Sequence, residues 1–292
     1  MILREYIVPG PPTTPLVIAP IGDIQWLGRR EDLAFDHLVE HIERGAGMGA
    51  LWLGLGDYID FTSPSNRGII RRSELYDNAL RAIDDKAVEL NSSLYEQVLY
   101  RTAGSWLGLV SGHHYHKLQD GSTTDHQLCR LLNAPFLGED TALVRLTWRV
   151  SSNNTEYEAH DQHVDIWLAH GKGAGQQPAS PLIVLDRVAQ YADADIYIMG
   201  HQTKKAYAAA NRIVPVFPHG GEPYLIHRAL HLVGSGGWSR GYITGQEAGT
   251  YVEKGIMRPV TLGAPFIHIR PRWRDSQTAG RKVWDPNITV EA

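Results

Sequence analysis

Apolar and polar positions along the chain follow two periods. Five short apolar runs read as buried strands, and each one ends at an acid or an imidazole. Positions 15–22 lead to Asp23, 50–55 to Gly56 and Asp57, and 106–110 to Ser111, Gly112, His113 and His114. A run through 164–169 ends at His170 without an intervening glycine, and 195–199 leads to Gly200 and His201. Between these runs the period lengthens to that of a helix. Positions 31–44 place Leu33, Leu38, Val39 and Ile42 on one face and end on Arg44 and Gly45. A long helical pattern covers 70–100, with a break expected near Asn91, Ser92 and Ser93. A shorter helix covers 123–132, with Ser122 or Thr123 as its N-cap, and another covers 182–191.

After Pro135 the pattern changes. Positions 143–150 alternate, 151–154 form a turn, and the next run returns to His170, which describes an antiparallel hairpin feeding a second sheet. From 206 to 272 only strand-like runs and glycine turns appear, for example 224–233 and 260–270. Residues 1–14 are rich in proline and are expected to form an irregular arm, 61–68 a polar loop, and 275–292 a C-terminal tail. The expected architecture is one α/β domain over 1–292, with a two-sheet β-sandwich core flanked by helices. Strands that each deliver Asp or His at their carboxyl end describe a metal site on that edge of the fold.

Composition narrows the function classes. A chain of 292 residues with 43% hydrophobic and 21% charged residues is ordinary for a globular protein with a sizeable core. The net charge of −4 argues against a protein that coats nucleic acid without specificity, though a local basic patch stays open. The single cysteine, Cys129, excludes an internal disulfide and a cysteine-based zinc site, and no disulfide-linked partner is expected. No apolar run approaches the roughly 18 residues of a membrane span, and the first residues lack the apolar core of a signal peptide. The expectation is a cytoplasmic protein with no membrane partner. With 14 histidines, only those at equivalent structural positions count as signal.

Hydrolysis of phosphoesters at a two-metal centre needs two cations about 3.5–4 Å apart, a bridging carboxylate and imidazole or oxygen ligands with open positions. The turns supply these residue types. In order they read Gly22-Asp23-Ile24-Gln25, Gly56-Asp57-Tyr58-Ile59-Asp60, Gly112-His113-His114-Tyr115, Ala169-His170-Gly171 and Gly200-His201-Gln202-Thr203. This series resembles the calcineurin-like metallophosphoesterases, a superfamily of purple acid phosphatases and related nucleases, phage-encoded members among them. Their pattern is D-x-H, G-D-x-x-D, G-N-H-[DE], a lone His and G-H-x-H, and the resemblance covers 23–203.

The resemblance implies a metallophosphoesterase fold and a divalent-metal-dependent hydrolase, Mn²⁺ preferred and Zn²⁺ or Fe²⁺ able to serve. It implies a phosphodiesterase or nuclease ahead of a phosphomonoesterase, with DNA or RNA as candidate substrate. It also implies that Asp57, His113, His170 and His201 hold one metal firmly, and that His114 is the catalytic acid. The other metal falls to Asp23, Gln25, Asp57 and Thr203. Three positions depart from the pattern: Gln25 and Thr203 stand where the family has His, and His113 where it has Asn. One firm and one weak metal is the expected consequence. A non-catalytic binding or structural protein on a decayed phosphoesterase fold is the alternative.

Single residues also have plainer readings. Asp23 could be a turn or cap residue, Gln25 could face solvent, Asp60 could cap its loop, and His116 could be a solvated loop residue. Arg67 and Arg240 are candidate substrate contacts, with Arg71 and Arg72 beside the first and Trp238 beside the second. A solvated helix start is the plainer reading of Arg67, Arg71 and Arg72. His160, His163, His227 and His231 read as ordinary histidines, with His219, ahead of two glycines, the likeliest exception. Lys204 or Lys205 could place an ammonium near the weak metal position. The run 171–175 lacks the ending of a phosphate loop and reads as an active-site loop. Arg270, Arg272, Trp273, Arg274, Arg281 and Lys282 could track a nucleic-acid backbone or form a solvated tail.

Overall fold

The computed structural model describes residues 1–72, 76–151, 153–154, 156–157, 160–173, 175–217, 222–245, 251–254, 256–275 and 282–292. The strands are β1 (Ile2–Ile7), β2 (Leu16–Ile21), β3 (Leu51–Gly54), β4 (Trp106–Val110), β5 (Phe136–Gly138), β6 (Thr141–Trp148) and β7 (Gln162–Ala169). They continue with β8 (Ile196–Met199), β9 (Lys205–Val216), β10 (Tyr224–Ser235), β11 (Phe266–Arg270), β12 (Trp273–Asp275), β13 (Lys282–Trp284) and β14 (Asn287–Glu291). The helices are α1 (Phe35–Gly47), α2 (Pro64–Arg72), α3 (Asp77–Gln97), α4 (Thr124–Leu131), α5 (Ser180–Val188) and α6 (Tyr251–Lys254).

Among the described residues the strands make two six-stranded mixed sheets, in the orders β1-β6-β7-β8-β10-β9 and β14-β11-β2-β3-β4-β5, and one β12-β13 hairpin. β2, β3, β4 and β5 run parallel, as do β7, β8 and β10, so two groups of strand ends point one way. β6 and β7 form the expected antiparallel pair. The inner faces meet in one apolar layer. Ile18, Leu53, Leu107 and Val110 come from one sheet, and Val144, Val164, Ile166 and Ile198 from the other. On the outer face of the first sheet, Leu38 and Ile42 of α1, Leu90 and Leu94 of α3 and Leu128 of α4 pack around Trp52 and Trp106. Leu185 and Val188 of α5 cover Tyr197 and Leu230 on the outer face of the other. At about 25 cal/mol per Å² of apolar surface, burial of these side chains is the main term holding the layers together.

Several local expectations are corrected. The arm 1–14 contains β1, which pairs in parallel with β6. All but one of its six residues are exposed, so an edge strand of this kind shows no hydrophobic alternation in sequence. The tail contains β14, paired antiparallel with β11, and β13, paired with β12. Within 61–68, α2 already begins at Pro64, a residue pre-set for a first helical turn. α1 starts at Phe35, behind a short 3₁₀ turn at Arg30–Asp32. α3 continues through Asn91–Ser93 without a break. There the polar side chains find partners within the helical geometry. Asn91 donates to the Thr124 carbonyl at 2.8 Å, and Ser93 donates to the Leu90 carbonyl at 2.9 Å and accepts from Trp26 Nε1 at 2.7 Å. Thr123 is the N-cap of α4, its hydroxyl accepting from the His126 amide. No helix among the described residues is long and apolar enough to cross a membrane.

Candidate metal centre

The turns that follow β2, β3, β4, β7 and β8 converge at one edge of the sandwich. The local backbone is unusual there. Asp23, Gln25, Asp57, His201 and Thr203 all adopt positive φ, between 50° and 62°. Left-handed backbone is costly for residues with a β-carbon and clusters where surrounding structure enforces it for function. The turns also touch backbone to backbone. A β-carbon on Gly56 would lie 2.4 Å from the Gly112 nitrogen, and one on Gly112 would lie 2.1 Å from Asp57 Oδ1. Glycine at both positions is therefore a steric requirement of the site.

Hydrogen bonds lock the turns together. Asp23 N donates to the Gly56 carbonyl at 3.0 Å, Gln25 N to the Asp57 carbonyl at 2.9 Å and Trp26 N to the Tyr58 carbonyl at 3.0 Å. Asp57 Oδ1 accepts from the amides of His113 and His114, the latter at 2.9 Å. Asp23 Oδ2 accepts from the His201 amide at 2.8 Å, while its Oδ1 is buried with no hydrogen-bond partner among the described residues.

Three imidazoles stand around these carboxylates. The ring centres of His113, His170 and His201 are 4.6, 4.9 and 5.1 Å apart. His170 Nδ1 lies 2.7 Å from the Leu55 carbonyl, so it donates there and turns Nε2 toward the centre. That Nε2 lies 3.3 Å from Asp57 Oδ2 and 3.2 Å from His201 Nδ1. Two overlapping trios, His113-His170-His201 and Asp23-Asp57-His170, each bring a potential ligand atom from every member within 4.8 Å of the others.

The electrostatics show groups in competition. Burial, with the nearby Asp57 adding to it, holds the Asp23 carboxyl up to about 7. Burial would also raise Asp57, but the hydrogen bond and charge of His170, with His114 and the His113 amide, bring it well below the usual carboxylate range. His170 is raised to about 9: burial opposes its charge, and Asp57 and Asp23 outweigh burial. Burial and the neighbouring imidazoles push His201 down to about 4, and His113 is lowered for the same reasons. Two buried acids beside three imidazoles that cannot all be charged could hold a cation. A divalent ion would occupy the unpartnered Asp23 oxygen and the free lone pairs, and the carboxylate and imidazole donors suit Zn²⁺, Mn²⁺ or Fe²⁺.

His114 stands apart from the three. It is about a quarter exposed, with Nδ1 2.7 Å from Asp60 Oδ1 and Nε2 3.8 Å from Asp57 Oδ2. The hydrogen bond to Asp60 raises its pKa, so the imidazolium is favoured. Asp60 is thus the partner of His114 and not a loop cap. Its place three residues after Asp57 was the one sequence signal for this.

Of the remaining candidates, Gln25 lies at the site, but its amide oxygen accepts from Ser239 Oγ at 2.9 Å. The Thr203 side chain packs against Gly237, where an added β-carbon would lie 3.0 Å from Thr203 Cβ. Arg67 does not reach into the centre. Its Nη1 donates to the carbonyls of Thr62, His113 and Tyr115. Arg240 is exposed, one residue beyond Ser239. Trp238 is fully buried beside His41 and is a core residue rather than a substrate contact. His116 is buried, not solvated: its Nε2 lies 2.8 Å from Asp84 Oδ1 on α3. His231 is buried against Tyr207, and His163 is exposed. Lys204 donates to the Gln202 carbonyl at 3.0 Å.

In the basic stretch, Arg272 pairs with Asp285, Lys282 pairs with Glu156, and Trp273 packs on Trp284 and Tyr157. Those pairs engage two of its cations, Arg272 and Lys282. His219, Gly220, Gly221, Ala174 and Arg281 lie outside the described residues, as do the side chains of Arg71 and Arg72. No protein-family model matches this chain, and no curated protein matches it.

Proposed function

We infer that the protein is a metal-dependent phosphoesterase of the calcineurin-like type. The observation that carries this is the meeting of Asp23, Asp57, His113, His170 and His201 at one edge of a two-sheet sandwich, with Asp23, Asp57 and His201 in left-handed backbone. The order of the turns follows the pattern the sequence resembles, with Gln25, His113 and Thr203 as departures from it. A divalent cation in such a centre supplies Lewis acidity, polarising a phosphoryl group and making water acidic enough to ionise near neutral pH. His170 is the member the two trios share; it and Asp57 are assigned to hold the ion, with His113 and His201 on one side and Asp23 on the other. His114, held by Asp60, is assigned to protonate the leaving oxygen, a role that suits the alkoxide leaving group of a phosphodiester. A phosphodiester, DNA or RNA included, is the preferred substrate class.

A second reading, a binding protein on the same fold, has one observation in its favour. The Gln25 amide oxygen is engaged by Ser239 Oγ and is not presented as a free ligand. One experiment separates the two: metal content of the purified protein, with hydrolysis of bis-p-nitrophenyl phosphate in added Mn²⁺. Bound metal with turnover abolished by His170→Ala supports the enzyme. Bound metal without turnover on any phosphoester supports the binding protein.

A further inference from the structure

The turn 113–115 carries both a candidate ligand and the candidate acid, and its backbone is held at every position. On the amide side, the N–H groups of His113 and His114 are spent on Asp57 Oδ1. On the carbonyl side, His114 O accepts from the amides of Phe61 and Thr62 at 3.3 Å. The two flanking carbonyls, His113 O and Tyr115 O, converge with Thr62 O on one atom, Nη1 of Arg67, at 2.8, 2.7 and 2.7 Å. The guanidinium also lies over the Tyr115 ring, 4.1 Å from its centroid. Three carbonyl dipoles aimed at one point repel each other unless a cation stands there, and charge-assisted hydrogen bonds of this kind are about twice as strong as neutral ones.

We propose that Arg67 is a positioning residue that clamps the 113–115 turn by its carbonyls and so sets the directions of the His113 and His114 side chains. It is not a substrate contact. Its three acceptors belong to the protein, and the one ring face it covers is that of the residue next to His114. Asp57 fixes the same turn from its amide side. The metal-facing carboxylate and the Arg67 cation therefore grip opposite edges of a three-residue segment, and loss of either lets the His113 imidazole swing. This rests on the metal-centre reading given above.

The test uses the full-length protein and Co²⁺ alone as probe. Affinity is read by competition with a chelating dye, and ligand geometry by the visible absorption of the bound ion. Arg67→Met keeps the stem over Tyr115 and removes the donors. It is expected to weaken Co²⁺ about 10-fold, as losses of groups that orient metal-binding histidines do, and to change the absorption band. Arg67→Lys keeps a cation with three donors and is expected to recover part of the loss. Thermal melting of both variants reports folding independently. If Arg67→Met binds Co²⁺ with wild-type affinity and spectrum, the clamp is wrong, whether or not the variant melts earlier or binds inorganic phosphate more weakly. If the wild-type protein itself takes up no Co²⁺, Mn²⁺ or Zn²⁺, the metal-centre reading fails first and the clamp falls with it.

Discussion

Asp60 Oδ1 lies 2.7 Å from Nδ1 of His114, and this contact fixes which ring nitrogen of His114 faces the centre. With Nδ1 turned to the carboxylate, Nε2 points toward Asp57 Oδ2 at 3.8 Å and is the atom that would give a proton to a leaving group in the proposed reaction. His114→Asn is therefore expected to keep its metal and lose turnover by roughly 10²–10⁴-fold on a substrate with an alkyl or nucleoside leaving group. The loss should shrink on p-nitrophenyl esters, whose leaving group needs little protonation. Asp60→Asn should show the same dependence on leaving group at smaller amplitude, because it removes the orienting carboxylate and leaves the imidazole. Equal losses on both substrate kinds would mean that His114 holds the phosphate instead. Loss of metal from His114→Asn would exchange its role with that of His113.

Metal content should divide the polar residues of the site into two groups. His170 Nε2 belongs to both trios of ligand atoms, and His201 and His113 complete one of them. His170→Ala and His201→Ala are expected to strip bound metal, measured by elemental analysis after gel filtration. Gln25→Ala should leave about one equivalent, because the Gln25 oxygen is already accepting from Ser239 and three imidazoles with a carboxylate outbind an amide. Two tightly held metals in the purified wild-type protein would contradict this and restore Gln25 and Thr203 as ligands.

Legibility from sequence followed the range of the interactions. Strands buried on both faces, such as β3 and β4, announce themselves as continuous apolar runs, and the acid or imidazole at each end follows at fixed short distance. The two-sheet arrangement was readable because 143–150 alternates and a turn at 151–154 returns the chain to His170. β1 was not readable, because an exposed edge strand carries no buried face to impose a period. His116 looked like a solvated loop residue because its partner, Asp84, sits on α3, 32 residues earlier, and no local pattern joins them. The partners of Arg67 were not readable for a related reason: they are main-chain carbonyls, which have no identity in a sequence. Gln25 and Thr203 were visible as departures from a motif, but their engagement by Ser239 and Gly237 needed the fold.

The contact between Gly112 and Asp57 gives a stability prediction. Gly112→Ala would place a β-carbon 2.1 Å from Asp57 Oδ1 and 2.2 Å from the Asp57 amide nitrogen, and the turn must move to accept it. A loss of about 2–3 kcal/mol is expected by urea denaturation, together with loss of metal binding, since the displaced carboxylate belongs to the centre. Gly47→Ala is the control. It lies at the end of α1 with nothing within 4 Å of the new β-carbon, so it should be neutral or stabilising by up to about 1 kcal/mol. Equal effects of the two substitutions would show that the close approach of the turns is not a constraint.

Acid should weaken the fold through His41, away from the metal centre. Its ring stacks on Phe266 with centroids 4.3 Å apart, meets Trp52 and Trp238 at 5.9 and 5.2 Å, and leaves Nε2 buried without a partner among the described residues. Burial first, then the cations of Lys205 and Arg44, lower its pKa from 6.5 to about 4, against a smaller opposing effect of Glu291. The sign follows from which state binds the proton. Between pH 6.5 and about 4 the unfolded chain protonates this histidine and the folded chain refuses it, so stability is full above pH 6.5 and declines as pH falls to about 4. The span corresponds to a loss on the order of 3 kcal/mol at its acid end. His41→Phe removes the titration while keeping the stacked ring. Urea denaturation of both proteins at pH 7.5, 5.5 and 4.5 should show the wild type losing stability more steeply than the variant as pH falls, so that the difference between the two curves changes with pH. Parallel curves would mean that His41 takes its proton within the folded protein as readily as in the unfolded chain, and that Lys205 and Arg44 do not oppose it.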